Sequence, residues 1–234
     1  MKQAMIAFLV VCALALSVGA QKKMKPWTEW NEKDAKAVLD NSPWGQTQTE
    51  TDTSQMFFSP NNSNSGSSRS RGATNQAVPT YFRIRFLSAK PIRQAFMRLT
   101  ESQQKTPNQQ NYDRLKNFVE SSPGDWIVLG VTFESTDQRY SGDAMQAFNS
   151  ATTALLKNKT YLEVTGGKRV FLEKYVIPQP NNLGASFIFP RSVDGKPFIT
   201  PEVNEVRFYS EIGNLKLNMR FKVADMMYDG KLEY

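Results

Sequence analysis

Two absences limit the side chains that could carry out chemistry in this chain. The sequence contains no histidine, and its single cysteine, Cys12, lies in an N-terminal apolar segment. Once that segment is removed, no thiol or imidazole remains, which excludes Ser/His/Asp and Cys/His nucleophiles, disulfides, and metal sites with nitrogen or sulfur ligands. The remaining chemistry is that of carboxylates, lysine, tyrosine and serine, or of a cation held by oxygen. No motif predicts a cofactor.

Paired carboxylates are the first candidates, because glycoside hydrolysis needs only two of them, roughly 5 to 10 Å apart. The glutamates on predicted strands are Glu134, Glu163, Glu173, Glu205 and Glu211. Nothing in their spacing places two of them in one cleft, and scattered glutamates are typical of a solvated sheet face. Hydrolysis of envelope glycans therefore stays an alternative, with no catalytic residue assigned.

Basic side chains alternate along two predicted strands. Arg83 and Arg85 share one side of the first strand, and Lys216, Arg220 and Lys222 share one side of the second. If the strands are neighbours, they form a positive face that could hold an anionic polymer or envelope lipid. The other interpretation is an ordinary soluble face with glutamates nearby. We do not expect nucleic acid, because basic and acidic residues are interspersed along the chain.

Three tryptophans, Trp27, Trp30 and Trp44, bracket a short predicted helix. Asn31 is its expected N-cap, and the helix ends at Ser42 and Pro43. The indoles could form an aromatic platform for a sugar or a peptide. Alternatively, they attach the helix to the main domain, which we favour because so short a helix is marginal unless it packs against other elements.

Hydrophobic periodicity predicts the elements that position these side chains. The apolar run Trp126 to Glu134 indicates a central strand, and helical spacing predicts helices from Pro91, around Tyr112, and from Ser141 to Leu156. After Thr160 the period changes to two, which indicates successive hairpins. The predicted pairs are 161–164 with 169–176, 185–190 with 197–200 across the Asp194 turn, and 203–211 with 215–223, and the tail is expected to add a short last strand. The predicted fold class is α+β: a mixed, mostly antiparallel sheet with about three helices on one face, plus the short Trp-rich helix.

The chain is expected to divide into four parts. Residues 1–20 have the positive start, the apolar run and the small residues of a signal peptide, with cleavage after Ala20. Residues 21–44 are the Trp-rich helical segment. Residues 45–78 are polar and poor in aliphatic side chains, which predicts a disordered linker. Residues 79–234 form the α+β globular domain, and no transmembrane span is expected in the mature chain.

Five segments spread over nearly the whole mature chain are distinctive: WTEWNEKDAKAVLDNSPWGQTQTETDTS, SAKPIRQAF, QAFNSATTALLKNKTYLE, FIFPR-x-x-DGKPF and LKLNMRFKVADMMYDGKLEY. They resemble a family of exported proteins of soil-type bacteria. The resemblance implies a bacterial, exported origin, periplasmic or secreted, and assigns no activity or site residue. The signal segment, the predicted linker and the missing catalytic side chains favour a non-enzymatic binding or accessory module of the cell envelope, whose partner is an envelope component or a protein. A glycan hydrolase and a polyanion-binding protein remain alternatives.

Overall fold

The computed structural model describes residues 24–52, 78–103, 109–121, 123–135, 138–179 and 183–234. The helices in these ranges are α1 (Glu32–Asp40), α2 (Lys90–Gln103), α3 (Gln109–Glu120), α4 (Gln138–Ser150) and α5 (Thr153–Leu156). The strands are β1 (Gly45–Asp52), β2 (Val78–Phe86), β3 (Trp126–Ser135), β4 (Thr160–Val164), β5 (Arg169–Phe171), β6 (Lys174–Gln179), β7 (Gly184–Pro190), β8 (Ser192–Val193), β9 (Lys196–Pro197), β10 (Glu205–Ile212), β11 (Leu215–Lys222), β12 (Met227–Tyr228) and β13 (Lys231–Leu232).

The longer strands form two antiparallel sheets. The five-stranded sheet has the order β1-β2-β3-β7-β6, and the four-stranded sheet has the order β11-β10-β4-β5. Strand β3 lies in the middle of the larger sheet, so the prediction of a central strand is confirmed. The α+β class is confirmed as well. The predicted single mixed sheet is replaced by two sheets whose strand pairs are all antiparallel in the described residues.

Aromatic side chains join the two sheets. Phe86 of β2 meets Phe221 of β11 with ring centroids 4.9 Å apart, and Phe187 of β7 meets Phe208 of β10 at 5.3 Å. All four rings are fully buried. Since side chains alternate between the faces of a strand, the inner face of each sheet is the one that carries these rings. The core therefore lies between the sheets.

The helices lie on both faces of the larger sheet, which corrects the prediction of helices on one face. Phe148 of α4 stacks on Phe133 at 5.3 Å, on the inner face. The opposite face is covered by α1 and α2, because Arg85 donates to the Leu39 carbonyl of α1 and lies over the Phe96 ring of α2.

The short helix α1 begins as its sequence predicts. Asn31 Oδ1 accepts a hydrogen bond from the backbone N–H of Asp34 at 2.9 Å, and an Asp34 carboxylate oxygen accepts one from the Asn31 N–H at 3.3 Å. This reciprocal pair satisfies two of the N–H groups that a helix start leaves without partners. The buried residues Ala35, Val38 and Leu39 then pack onto the domain.

The linker prediction for residues 45–78 is wrong at both ends. Residues Gly45–Asp52 form β1, which pairs with β2 along its whole length from Gly45↔Arg85 to Asp52↔Val78. Strand β2 itself begins at Val78, one residue before the predicted domain start. The polar side chains of β1 suit an edge strand, where backbone pairing rather than apolar burial holds the chain. The predicted signal peptide and residues 53–77 lie outside the described residues.

Two local predictions also need correction. The predicted third helix is interrupted at Ala151, and Thr152 Oγ1 caps the separate turn α5, so that Leu156 is buried in place of Leu155. Strand β7 pairs with β3 and β6 rather than with the segment after Asp194. The predicted β10–β11 hairpin is confirmed, and the short last strand expected in the tail is present as β13, paired with β12.

Candidate binding surface

The three tryptophans lie within the fold. Trp30 is 3% exposed and Trp44 is 1% exposed, and Trp27 is half-buried against the same core. Trp30 Nε1 donates to the Lys25 carbonyl and Trp44 Nε1 to the Glu233 carbonyl, both at 2.9 Å. The interpretation that they attach the helix to the domain is confirmed. The ligand platform of Trp27, Trp30 and Trp44 is wrong, because two of the three indoles are core residues.

Arg83 and Arg85 do not join the cations of β11. They lie on the five-stranded sheet beneath α1, and Arg85 is only 6% exposed. Arg85 Nη2 donates to Asp40 Oδ1 at 2.7 Å, while Arg83 contacts Asp40 at 3.3 Å and Glu134 at 2.7 Å. Burial lowers the pKa of Arg85, and the Asp40 carboxylate opposes that change. The prediction of one positive face containing both groups is therefore wrong.

The β11 cations are placed as predicted. Lys216, Arg220 and Lys222 are exposed and alternate with inward-facing apolar residues. They lie on the outer side of the four-stranded sheet, which we call the open face. Arg220 Nη1 donates to Glu205 at 2.7 Å, whereas no carboxylate of the described residues lies within ion-pair distance of Lys216 or Lys222. This face is the best-exposed sheet surface among the predicted sites.

An aromatic row crosses the open face. It comprises Phe171, Tyr161 and Tyr209, which come from three adjacent strands. The Tyr161 ring stacks on Tyr209 with centroids 5.1 Å apart and meets Phe171 edge-on at 5.9 Å. The Arg169 guanidinium lies over the Tyr161 ring at 4.3 Å, and that of Arg207 lies over Tyr209 at 5.3 Å. The ring faces are thus engaged with neighbours, while Phe171 stays 46% exposed.

Charged hydrogen bonds fix this row. Glu163 accepts from Arg169 and lies 3.6 Å from an Arg207 nitrogen. The Arg169 hydrogen bond is the main cause of the lowered pKa of Glu163, with the charge of Arg207 adding to it. The Tyr209 hydroxyl donates to Glu211, and that bond raises the pKa of the phenol. Cations outnumber carboxylates on the four strands of this face, so it has a positive balance.

Sequence reasoning missed the aromatic row. Tyr161 and Glu163 are two residues apart, as are Arg207 and Tyr209, so the strand period places each pair on one side of its strand. That spacing was a usable signal for outward-facing positions. The pairing Tyr161↔Tyr209 was not available, because it depends on the register between β4 and β10. Strands that are distant in sequence reveal their partners only in the fold.

The candidate carboxylates show no arrangement for acid and base catalysis. A general acid needs a raised pKa, whereas that of Glu163 is lowered by Arg169. Three others are also engaged: Glu134 with Arg83, Glu205 with Arg220 and Glu211 with Tyr209. Within the described ranges, no group of three or more acidic side chains is placed to hold a metal ion. None of the helices described is long and apolar enough to span a membrane.

A cleft lies beside the open face, along the outer edge of β11. We call it the edge cleft; its volume is about 810 Å³. Its walls are the turn from α1 to β1 on one side and β11 on the other, and they include Asp40, Pro43, Thr47, Arg220, Lys222 and Asp225. The volume falls within the range of small-ligand sites, but the charged lining and wide mouth differ from an enclosed apolar pocket.

Comparison with protein-family models, with curated proteins and with solved structures finds no match to this chain. The assignment of a function therefore rests on the geometry of the open face and of the edge cleft.

Proposed function

We propose that this protein is a non-enzymatic binding module of the cell envelope, which binds an acidic protein partner through the open face. The carrying observation is the aromatic row Phe171, Tyr161 and Tyr209 with its two arginines on the solvent side of a sheet. Tyrosine and arginine are, with tryptophan, the side chains most enriched among residues that dominate protein–protein binding energy. The export of the chain is part of this proposal.

The packing of the row favours a protein over a sugar or a nucleobase. Sugar rings and bases bind aromatic residues by lying flat on a free ring face. Here the Tyr161 ring is contacted by Arg169 and by Tyr209, so its faces are engaged. What the surface offers is a rigid set of ring edges, hydroxyls and guanidinium groups. A protein surface can pack on such a set without displacing it.

The charge of the face favours an acidic partner over a general polyanion. Arg169, Arg207 and Arg220 each have a glutamate partner, so a polymeric anion would have to compete for them. Lys216 and Lys222, at the rim of the open face, have no such partner among the described residues and can attract an acidic protein during its approach. Complementary charge raises association rates and selects partners more than it raises affinity. Heparin is accordingly expected to retain the protein weakly, and retention at physiological salt would favour the polyanion alternative instead.

The proposal is tested by photo-crosslinking in producing cells. p-Benzoylphenylalanine replaces Phe171, and irradiation is expected to yield one discrete protein adduct. The matched control replaces Tyr112 of α3, another exposed aromatic residue that lies outside the four-stranded sheet. The Phe171 adduct should decrease at least about threefold when Tyr209→Ala removes the stacked ring. Adducts of the same mass at both positions, or none at Phe171, would contradict the proposal.

A second measurement separates binding from catalysis. The purified chain is incubated with peptidoglycan and with soluble glycans, and the release of reducing ends is measured. We expect no release above that of Glu163→Gln or Glu205→Gln. Turnover that disappears in either variant would replace the binding proposal with the hydrolase alternative.

A further inference from the structure

Part of the outer edge of β11 already forms main-chain hydrogen bonds, with a side chain rather than with another strand. Gln48 of β1 donates from Nε2 to the Lys216 carbonyl at 2.8 Å, and its Oε1 accepts from the Asn218 N–H at 2.8 Å. One primary amide thereby reproduces the donor and acceptor of a neighbouring strand. The main-chain groups of Lys216 and Asn218 consequently point away from β10, toward β1.

The same geometry continues past Asn218. Main-chain groups of residues two apart in a strand point to the same edge, so those of Arg220 and Lys222 point the same way. Both residues line the edge cleft. Among the described residues, none forms a backbone hydrogen bond with Arg220 or Lys222 on that side. The strand edge is therefore open over about four residues, or roughly 13 Å.

We infer that the edge cleft is a strand-addition site, which takes an extended segment of a partner polypeptide as a further strand beside β11. Strand addition obtains its affinity from main-chain hydrogen bonds and its selectivity from alternate side chains. The opposite wall is formed by Pro43 and Thr47, so the segment would lie between β11 and the start of β1.

Charge determines which segments fit. Arg220 is paired with Glu205, whereas no carboxylate of the described residues lies within ion-pair distance of Lys222. On the far wall, Asp40 is occupied by Arg83 and Arg85. An acidic side chain opposite Lys222 is favoured, because opposite charges on adjacent strands stabilise the pairing and like charges oppose it.

Asp225 sets a limit at the far end of the cleft. Asp225 follows Lys222 by three residues and lines the same cleft. A second acidic residue directly beside Asp225 would be repelled, so the segment is expected to place an uncharged residue there. The ligand class is therefore an extended peptide with acidic residues at alternate positions and a neutral end.

The inference does not depend on the aromatic row. The edge cleft uses main-chain groups of β11, while the aromatic row uses side chains of β4, β5 and β10. The variant Tyr209→Ala should leave peptide binding unchanged. Failure of the crosslinking experiment and failure of the peptide experiment are therefore separable results.

The probe is a fluorescein-labelled hexapeptide that alternates threonine and glutamate, measured by anisotropy against the full chain. The same peptide with lysine in place of glutamate should bind at least about tenfold more weakly. N-methylation of every second amide removes donors from one strand edge, and one of the two N-methylation registers should abolish binding. Equal binding of the glutamate and lysine peptides, or no effect of either methylation register, would overturn the inference.

A pair of variants tests the strand edge itself. Arg220→Pro removes the N–H that points into the edge cleft and leaves the ladder with β10 intact, since that N–H does not face β10. Arg220→Ala removes the same side chain but keeps the N–H. We expect Arg220→Pro to bind about tenfold more weakly than Arg220→Ala. Equal affinity of the two variants, with circular dichroism showing both folded, would overturn strand addition.

Should Arg220→Pro fail to fold, Lys222→Glu decides in its place. This exposed residue faces solvent, and the reversal should weaken the glutamate peptide at least about tenfold while improving the lysine peptide. A reversal that leaves both affinities unchanged would overturn the inference that an acidic segment binds beside Lys222.

Discussion

Arg85 of β2 and Asp40 of α1 form an ion pair of 2.7 Å on the outer face of the five-stranded sheet. Arg85 is buried, and its other guanidinium donors reach the Leu39 carbonyl at 3.0 Å and Thr132 Oγ1 at 3.0 Å. The pair ties the C-terminal end of α1 to the sheet. The helix of the Trp-rich segment is thus attached to the sheet by an ion pair as well as by apolar packing.

The first prediction concerns this pair. Asp40→Ala leaves the buried Arg85 guanidinium without its counter-charge, and we expect the free energy of unfolding to fall by roughly 2–4 kcal/mol. The matched control is Glu134→Ala, which removes the 65% exposed partner of Arg83 and should cost less than about 1 kcal/mol. Urea denaturation of both variants measures the difference. Equal losses of unfolding free energy would mean that the buried pair contributes no more to stability than the exposed one.

The second prediction concerns Gln48. Gln48→Ala leaves the Asn218 N–H and the Lys216 carbonyl to water, so we expect a loss of about 1 kcal/mol and a Tm lower by roughly 2–4 °C. Gln46→Ala is the control, because Gln46 lies two residues earlier on β1 and makes no hydrogen bond through its side chain among the described residues. An equal Tm for the two variants would argue against a bridge between the sheets.

Some features of this part of the fold could be predicted from the sequence, and others could not. The alternation Lys216, Arg220 and Lys222 on β11 was predictable, because strand period depends only on neighbouring residues. The cap at Asn31 was predictable for the same reason. Strand β1 was not, because its polar composition lacks the apolar alternation that marks a buried strand, and its pairing with β2 is what holds it.

The prediction of the positive face was wrong for a different reason, which is that the sequence does not show tertiary contacts. Alternation correctly placed Arg83 and Arg85 on one side of β2, but it does not report what covers that side. The covering group is the Leu39 carbonyl of α1, 46 positions away from Arg85. Likewise the stack of Tyr161 on Tyr209 depends on the register between β4 and β10. Contacts of this kind are set by tertiary packing, which composition and period do not encode.

A third prediction concerns the glycine at the start of β7. Gly184 has φ of +78°, and a Cβ built there would lie 2.1 Å from the Val131 carbonyl oxygen of β3. Gly184→Ala therefore combines backbone strain with a clash against a central strand, and we expect a loss above about 3 kcal/mol. The control is Gly167→Ala in the β4–β5 turn, where φ is +82° and no atom lies within 4 Å.

Gly167→Ala carries only the strain of positive φ, so its cost should be about 1 kcal/mol. Thermal unfolding of the two variants compares them at the same pH. If they lose the same stability, the close approach of β7 to β3 at Gly184 is not a constraint on the sequence.

The fourth prediction is a dependence of stability on pH that originates in the aromatic row. The Arg169 hydrogen bond lowers the pKa of Glu163 from the ordinary 4.5, so the folded state favours the ionised carboxylate. That contribution is fully present above the ordinary pKa and is lost as the pH falls through the lowered value. The stability of the wild type relative to Glu163→Gln should therefore be constant near pH 7 and should shrink in the acid range, as urea titrations at several pH values would measure.

Glu173→Gln, on an exposed side chain without an ion pair among the described residues, serves as the control. A wild-type advantage over Glu163→Gln that stays constant down to about pH 3 would mean that Arg169 does not hold this carboxylate in solution, and the rigid row required for partner binding would lose its support.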